Sequence, residues 1–172
     1  MELILDLAKR LPDYLFLIVG GHPEDVARYQ AMAGERDNVR FLGFKPPAEM
    51  HLYQLAADVL LMPYSDRVEI AASRVTADFA SPLKMFEYMA AGRPIVSSNL
   101  PVLKEILRDG HNALLLPYDN LDRWQEALHN IRKKPDWARA LGDQALADVH
   151  AFTWERRAEK IVEFTKQNTK PA

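Results

Sequence analysis

Apolar residues along this chain alternate between two spacings. Leu3, Ile4, Leu7 and Ala8 recur at helical spacing, and a near-continuous apolar run over residues 14–19 follows, stopping at Gly20-Gly21. Pro23 suits a first helical turn, and the helix it opens extends to about Gly34. Residues 39–42 predict a second strand, closed by Gly43; Pro46-Pro47 open a helix that reaches about Ala57, and residues 59–62 predict a third strand that ends at Pro63. A long loop, residues 64–80, comes next. Beyond it the pattern predicts a helix near 82–91, a strand at 94–96, a helix near 102–108 and a strand at 113–116. Three helices close the chain, near 121–133, 135–149 and 154–167. Short, fully apolar strands separated by helices require a parallel sheet covered on both faces, because each strand must bury both of its sides. The expectation is an α/β fold of three layers, α/β/α, with a mainly parallel sheet of about five strands. It forms one domain over residues 1–167, with a disordered tail at 168–172.

Composition narrows the function classes. The chain has 172 residues, with 22 Lys and Arg against 24 Asp and Glu, a net charge of -2 that offers no field for nucleic acid or anionic lipid. With no cysteine there can be no disulfide framework, thiol nucleophile or thiolate metal site, which fits a cytoplasmic location. His51, His129 and His150 show no ligand spacing, so no metal site is expected. Glu2 and Asp6 argue against a signal peptide, and no apolar run is long enough to span a membrane.

Ligands of parallel sheets sit at the carboxyl ends of strands, and Gly20, Gly21 and Gly43 fall there. Neither a G-x-G-x-x-G nor a P-loop sequence occurs, so phosphate binding must use another device. The segment 81–96, Ser-Pro-Leu-Lys-Met-Phe-Glu-Tyr-Met-Ala-Ala-Gly-Arg-Pro-Ile-Val, supplies one. Ser81 suits the N-cap and Pro82 the first helical position, with Leu83 and Lys84 completing the opening turn. The free N–H groups of that turn and the charge of Lys84 suit a phosphate. Glu87 shares the Lys84 face one turn deeper and suits sugar hydroxyls, while Leu83, Phe86 and Ala90 form the stripe expected to pack on the sheet. The same residues also suit a plain capped helix carrying a solvated Lys84–Glu87 ion pair, and on chemistry alone the two readings stand level.

Segment 81–96 closely resembles the donor-binding signature of GT-B-fold glycosyltransferases of the group 1, GT4-like type. Residues 17–21, 39–43, 57–64 and 105–117 resemble that family's C-terminal half, in order and at matching spacing. The resemblance implies a Rossmann-like domain that holds a UDP- or GDP-linked sugar as substrate, with no separate cofactor and no obligatory metal. Ser81, Pro82 and Leu83 would face the diphosphate, Lys84 would neutralise the leaving group, and Glu87 would bind ribose hydroxyls. Gly43 and Phe44 match the segment that lines the nucleobase, and Gly20-Gly21 the glycine turn beside the donor. The implied function is donor binding in a retaining glycosyltransferase of the polysaccharide-building kind. A non-catalytic nucleotide- or partner-binding module and a nucleotide-sugar epimerase-like domain are the alternatives.

Two departures from the family stand out. The first carboxylate of its Glu-x7-Glu motif is replaced by Phe79, with Asp78 one position off. The family's C-terminal half has six strands in the order 3-2-1-4-5-6, whereas five are found here, and Met1 falls inside the helix that follows strand 1. The domain is therefore expected to be incomplete at its N-terminus and to lack the N-terminal acceptor-binding domain, so that the isolated chain would not transfer sugar. A strand edge or the last helix, near Trp154, Ile161 and Phe164, would be exposed and open to self-association, and the absent domain would carry any peripheral contact with a membrane. Of the remaining residues, His22 is expected to cap the helix at Pro23, and His111 to be structural. Arg67, Glu69 and Arg74 belong to a solvated loop that would flank the donor. Arg93 is expected to complement its own helix's dipole, and Trp124, Trp137 and Trp154 to anchor packing.

Overall fold

The computed structural model describes residues 1–65, 69–70, 74–75 and 83–168. The helices and strands alternate as the pattern requires: α1 (Glu2–Arg10), β1 (Phe16–Val19), α2 (Pro23–Ala33), β2 (Val39–Gly43), α3 (Pro47–Ala56) and β3 (Leu60–Met62). Then come β4 (Glu69–Ile70), β5 (Arg74–Val75), α4 (Leu83–Ala90), β6 (Ile95–Ser98), α5 (Pro101–Lys104) and β7 (Leu114–Leu116). The chain closes with α6 (Leu121–Lys133), α7 (Pro135–Val149), a 3₁₀ turn (His150–Phe152) and α8 (Trp154–Asn168).

The five expected strands are all present and their pairings are all parallel, but they do not join in one sheet. β1 pairs with β2, and β3, β6 and β7 pair in that order. Among the described residues no strand pairing connects β1 to β3. That break lies where the order 3-2-1-4-5-6 places its strand 1. The two sheets nevertheless share a core. Leu5 and Leu7 from α1, Leu11 just after it, and Trp124, Leu128 and Ile131 from α6 pack with Phe16 and Val39 of one sheet and Val96 and Leu116 of the other. Trp124 is fully buried, and its Nε1–H donates to the Pro117 carbonyl at 2.9 Å, so the largest side chain of this core leaves no unpaired polar atom. The opposite face is filled by Met62, Met85, Met89, Ile95, Leu103, Leu107 and Ala145, which bind α4, α5 and α7 to the larger sheet.

Several local expectations are corrected. The loop over 64–80 contains a short antiparallel pair, β4–β5. The helix predicted at 102–108 is the single turn α5, followed by turns, because Asn112 draws the backbone of Arg108 and Ile106 into a tight connection. The buried stripe of α4 is Met85 and Met89, with Phe86 half-buried; Leu83 and Ala90 face outward, since the i, i+4 pair of methionines fills the core better than a residue in the first turn can. Trp124 anchors packing, whereas Trp154 does not, being exposed; the apolar face of the last helix at Ile161 and Phe164 is exposed as expected, and α8 buries no residue. Asn168 is the last residue of α8 and not part of a tail. Among the described residues, no helix is long and apolar enough to cross a membrane.

Candidate functional site

Of the expected site residues, Gly20, Gly21, Gly43, Phe44, Leu83, Lys84 and Glu87 are placed, whereas Ser81 and Pro82 lie outside the described residues, as do Arg67, Asp78 and Phe79. The placed residues lie at the carboxyl ends of β1 and β2 or in the opening turns of α4. β1 runs directly into Gly20 and β2 ends at Gly43, and the Gly20 N–H donates to the Gly43 carbonyl at 2.8 Å, tying the two turns together. Both take positive φ, +100° and +63°, where a side chain would be strained, and the space where their Cβ atoms would stand is open. Backbone is thus presented to anything that approaches this edge. The β1–β2 ladder slips between Ile18 and Val19: Ile18 lies opposite Phe41, and Val19 opposite Gly43. Leu42 is the extra residue of a bulge, which re-aims the end of β2. Phe44 follows it with 75% of its surface exposed, far more than an aromatic residue with only a packing role would keep.

On the other sheet, β3 runs through Pro63 into Tyr64, and Lys84 in the first turn of α4 stands over the Tyr64 ring, its Nζ 5.8 Å from the centroid. A cation over an aromatic face is held laterally while its ammonium keeps its donors for a ligand. Burial pushes the Tyr64 hydroxyl above the ordinary tyrosine value. It pushes Tyr88 up to about 12, with Tyr64 and the carboxylate of Glu87 adding to the effect, so both phenols are neutral donors across the physiological range. Glu87 is exposed and accepts a hydrogen bond from Nε2 of the buried Gln54 on α3, at 3.3 Å. Among the described residues no ion pair joins Lys84 to Glu87. Cation and carboxylate are each held by a different neighbour, one by a ring beneath it and the other by an amide beside it.

Other expectations resolve differently. His22 occupies the N-cap position of α2, but its side chain makes no capping hydrogen bond. Arg93 reaches across to the Leu55 carbonyl in the last turn of α3, at 2.5 Å, so it serves the C-terminus of a neighbouring helix and not its own. His111 lies 3.7 Å from Asp148 in the connection before β7, in keeping with a structural place. Sequence reasoning missed Gln54, Tyr64 and Tyr88. A glutamine inside Leu52-Tyr-Gln-Leu55 carries no mark of burial, and the contact of Tyr64 with Lys84 depends on the loop between them.

The model of the family described as "Glycosyl transferases group 1" matches residues 1–134. The phosphatidyl-myo-inositol mannosyltransferase of Mycolicibacterium smegmatis is 31% identical over 158 residues, covering 91% of this chain and 37% of that protein. Among solved structures, HepE of Anabaena in complex with UDP superposes with a TM-score of 0.75 at 15% identity, over 97% of this chain and 45% of that one. The C-terminal domain of a group 1 glycosyl transferase family protein from Francisella tularensis superposes with a TM-score of 0.64 at 17% identity, over 87% of this chain and 75% of that one. The chain spans about a third of the curated relatives it matches. These likenesses agree with the fold, which corresponds to the C-terminal Rossmann-like half of a GT-B architecture, and by the extent of the family match this chain belongs to the group 1 glycosyl transferases.

Proposed function

We propose that this chain forms the donor side of a retaining glycosyltransferase, binding a nucleoside diphosphate sugar whose sugar passes to an acceptor hydroxyl. The observation that carries the reading is the pair of held groups on α4, Lys84 over Tyr64 and Glu87 beside Gln54, together with the open Gly20–Gly43 turn at the carboxyl ends of β1 and β2. Transfer from such a donor leaves a diphosphate, so charge develops on the leaving group, and preorganised positive charge lowers the barrier without covalent chemistry. Lys84 and the amides of Leu83 and Lys84 at the start of α4 supply that charge. Glu87, one turn deeper, accepts from ribose hydroxyls; Gly20 and Gly21 let backbone approach the donor, and Gly43 and Phe44 line the base. The UDP named with HepE suits this chemistry, though it belongs to that protein. Residues that grip the acceptor would come from the part of the relatives that this chain does not span.

Calorimetric titration of the chain with UDP and with GDP tests the proposal. Binding of one of them is expected, with a loss of about tenfold or more on Lys84→Ala and on Glu87→Ala. Absence of binding, or unchanged affinity in both variants, overturns the donor reading and favours a partner-binding module. The isolated chain is expected to show no sugar transfer; measurable transfer would refute the assignment of acceptor contacts elsewhere.

A further inference from the structure

Gln54 is the one buried residue of α3, and it is polar. A side-chain amide taken out of water must find a partner, and the structure gives it the Glu87 carboxylate. The geometry is one-sided in a useful way. The backbone of Gln54 is held on α3, whose last turn is tied to the end of α4 by the bond from Arg93 to the Leu55 carbonyl. Glu87 is exposed, so without a fixed donor its carboxylate would sample several rotamers in water. An immobile amide beside a mobile carboxylate restricts the carboxylate. It also occupies Oε2 only, leaving Oε1 and the remaining lone pair of Oε2 for a ligand, since an ionised carboxylate accepts at about four sites.

We propose that Gln54 is a positioning residue that holds Glu87 in the orientation that accepts hydroxyl hydrogen bonds from the ribose of the nucleotide. The inference rests on the donor-site reading above and deepens it. Gln54 does not touch the ligand, and its whole effect runs through Glu87. Ordering Glu87 before the nucleotide arrives removes an entropic cost from binding. The contribution is therefore confined to ligands that carry a ribose, and it vanishes when Glu87 is absent. A glutamine whose only task is to satisfy its own buried amide would have neither property.

The experiment is a double-mutant cycle read by calorimetry on the full chain. UDP (or GDP, whichever the wild type binds) is the ribose-bearing probe, and inorganic pyrophosphate is the probe without ribose. Gln54→Leu, close in volume and unable to donate, is expected to weaken nucleotide binding about fivefold to tenfold and to leave pyrophosphate binding unchanged. In a Glu87→Ala background the same substitution is expected to cost nothing further. Gln54→Glu, which replaces the donor by a like charge, is expected to weaken nucleotide binding more than Gln54→Leu at pH 8, and to recover toward it as the pH is lowered. Thermal melts of each variant confirm that it is folded, and the pH response of Gln54→Glu supplies a second readout if Gln54→Leu lowers stability. Equal losses for nucleotide and pyrophosphate, or a full further loss in the Glu87→Ala background, would overturn the positioning role while the donor site stands. So would unchanged nucleotide affinity in Gln54→Leu. A wild-type chain that binds neither UDP nor GDP refutes the donor site itself, and with it this inference.

Discussion

Gly142 lies in the interior of α7, where glycine is ordinarily a poor choice. Replacing it by alanine in an unobstructed helix would stabilise the fold by ~1 kcal/mol, through helix propensity and a less flexible unfolded chain. Here the expected sign is the opposite. A Cβ at Gly142 would stand 2.4 Å from the Gly92 carbonyl oxygen, 2.9 Å from the Gly92 carbonyl carbon and 3.0 Å from that of Arg93. Carbon and oxygen in ordinary contact lie roughly 0.8 Å further apart than the shortest of these, and what stands in the way is backbone that cannot swing aside as a side-chain tip does. Gly92 is itself fixed, with φ +62° and Leu146 of α7 packed against it. α7 must therefore lift away from the turn between α4 and β6, opening the contact among Met89, Ala145 and their neighbours. Overpacking costs typically ~1–3 kcal/mol, and a rigid obstacle belongs at the upper end of that range. After subtraction of the propensity gain, Gly142→Ala should lose ~2 kcal/mol net, which in a chain of this length lowers the melting temperature by roughly 4–8 °C. Urea denaturation at fixed pH, with the slope checked for constancy, gives the free energy, and a thermal melt checks it. A Gly142→Ala protein as stable as the parent, or more stable, would refute the claim that α7 and the α4–β6 turn are locked backbone to backbone.

Three further substitutions probe separate parts of the fold. Asn38 donates through Nδ2 to the carbonyls of Ala8, Leu11 and Tyr14, at 2.9, 3.1 and 3.2 Å, closing the passage from α1 into β1; Asn38→Ala should cost ~1–3 kcal/mol in urea unfolding, and Asn38→Asp, which turns a carboxylate on three carbonyl oxygens, should cost more at pH 7 than at pH 4. Burial pushes the Asp148 carboxyl up, but hydrogen bonds from Asn112, Arg108 and Gln144 together outweigh it and hold the group below its ordinary 3.8. Its folded value being depressed, its contribution is complete above the unfolded value and is lost as pH falls through the folded one, so the stability gap between the parent and Asp148→Ala should be constant from pH 7 to about 5 and shrink below about 4; a gap independent of pH down to 2 would contradict this. The Ser98 hydroxyl at the end of β6 is buried with no hydrogen-bond partner among the described residues, so Ser98→Ala should leave the chain equally stable or up to ~1 kcal/mol more so, and a clear loss in urea unfolding would show that the hydroxyl has a partner.

How much of this was legible in the sequence depended on the range of the interaction concerned. The five strands could be read because each is a short apolar run, four of them stopped by glycine or proline and the fifth opened by Pro94, a signal carried within a few residues. The helix expected near 121–133 is α6 with those bounds, and the structure shows why they are sharp: Asn120 caps it by accepting from the Arg123 N–H, and Arg132 and Lys133 stand in its last turn. The buried stripe of α4 was misjudged because Leu83, Met85, Phe86, Met89 and Ala90 are all apolar, and only the shape of the opposing core selects among them. Lys84 and Glu87 are candidates by spacing and resemblance, but their partners Tyr64 and Gln54 come from other elements and carry no local mark. Arg93 was assigned to the wrong helix for the same reason: its charge is visible in the sequence, and its reach is not.

The division of the sheet bears directly on how such a site can work. Gly20, Gly43 and Phe44 stand at the ends of the strands of the β1–β2 sheet, while Tyr64 and Lys84 follow strand β3 of the other, and among the described residues no strand pairing joins the two. The two sheets are joined by side-chain packing beneath these residues, where Leu7 of α1, Leu11 just after it, and Trp124 and Ile131 of α6 share one buried cluster with residues of both sheets, and α3 is bound to the second sheet's helix through Gln54 and Arg93. Packing of this kind is stiff but adjusts by small shifts where a hydrogen-bonded ladder would not. A nucleotide that spans both sheets would thus do more than occupy a preformed groove. By contacting the Gly20 turn at one end and Lys84 at the other, it would couple two bodies that the chain holds together through their shared apolar core. Its binding energy would then add to their cohesion by mass action, so the same contacts that select the ligand would also stabilise the fold.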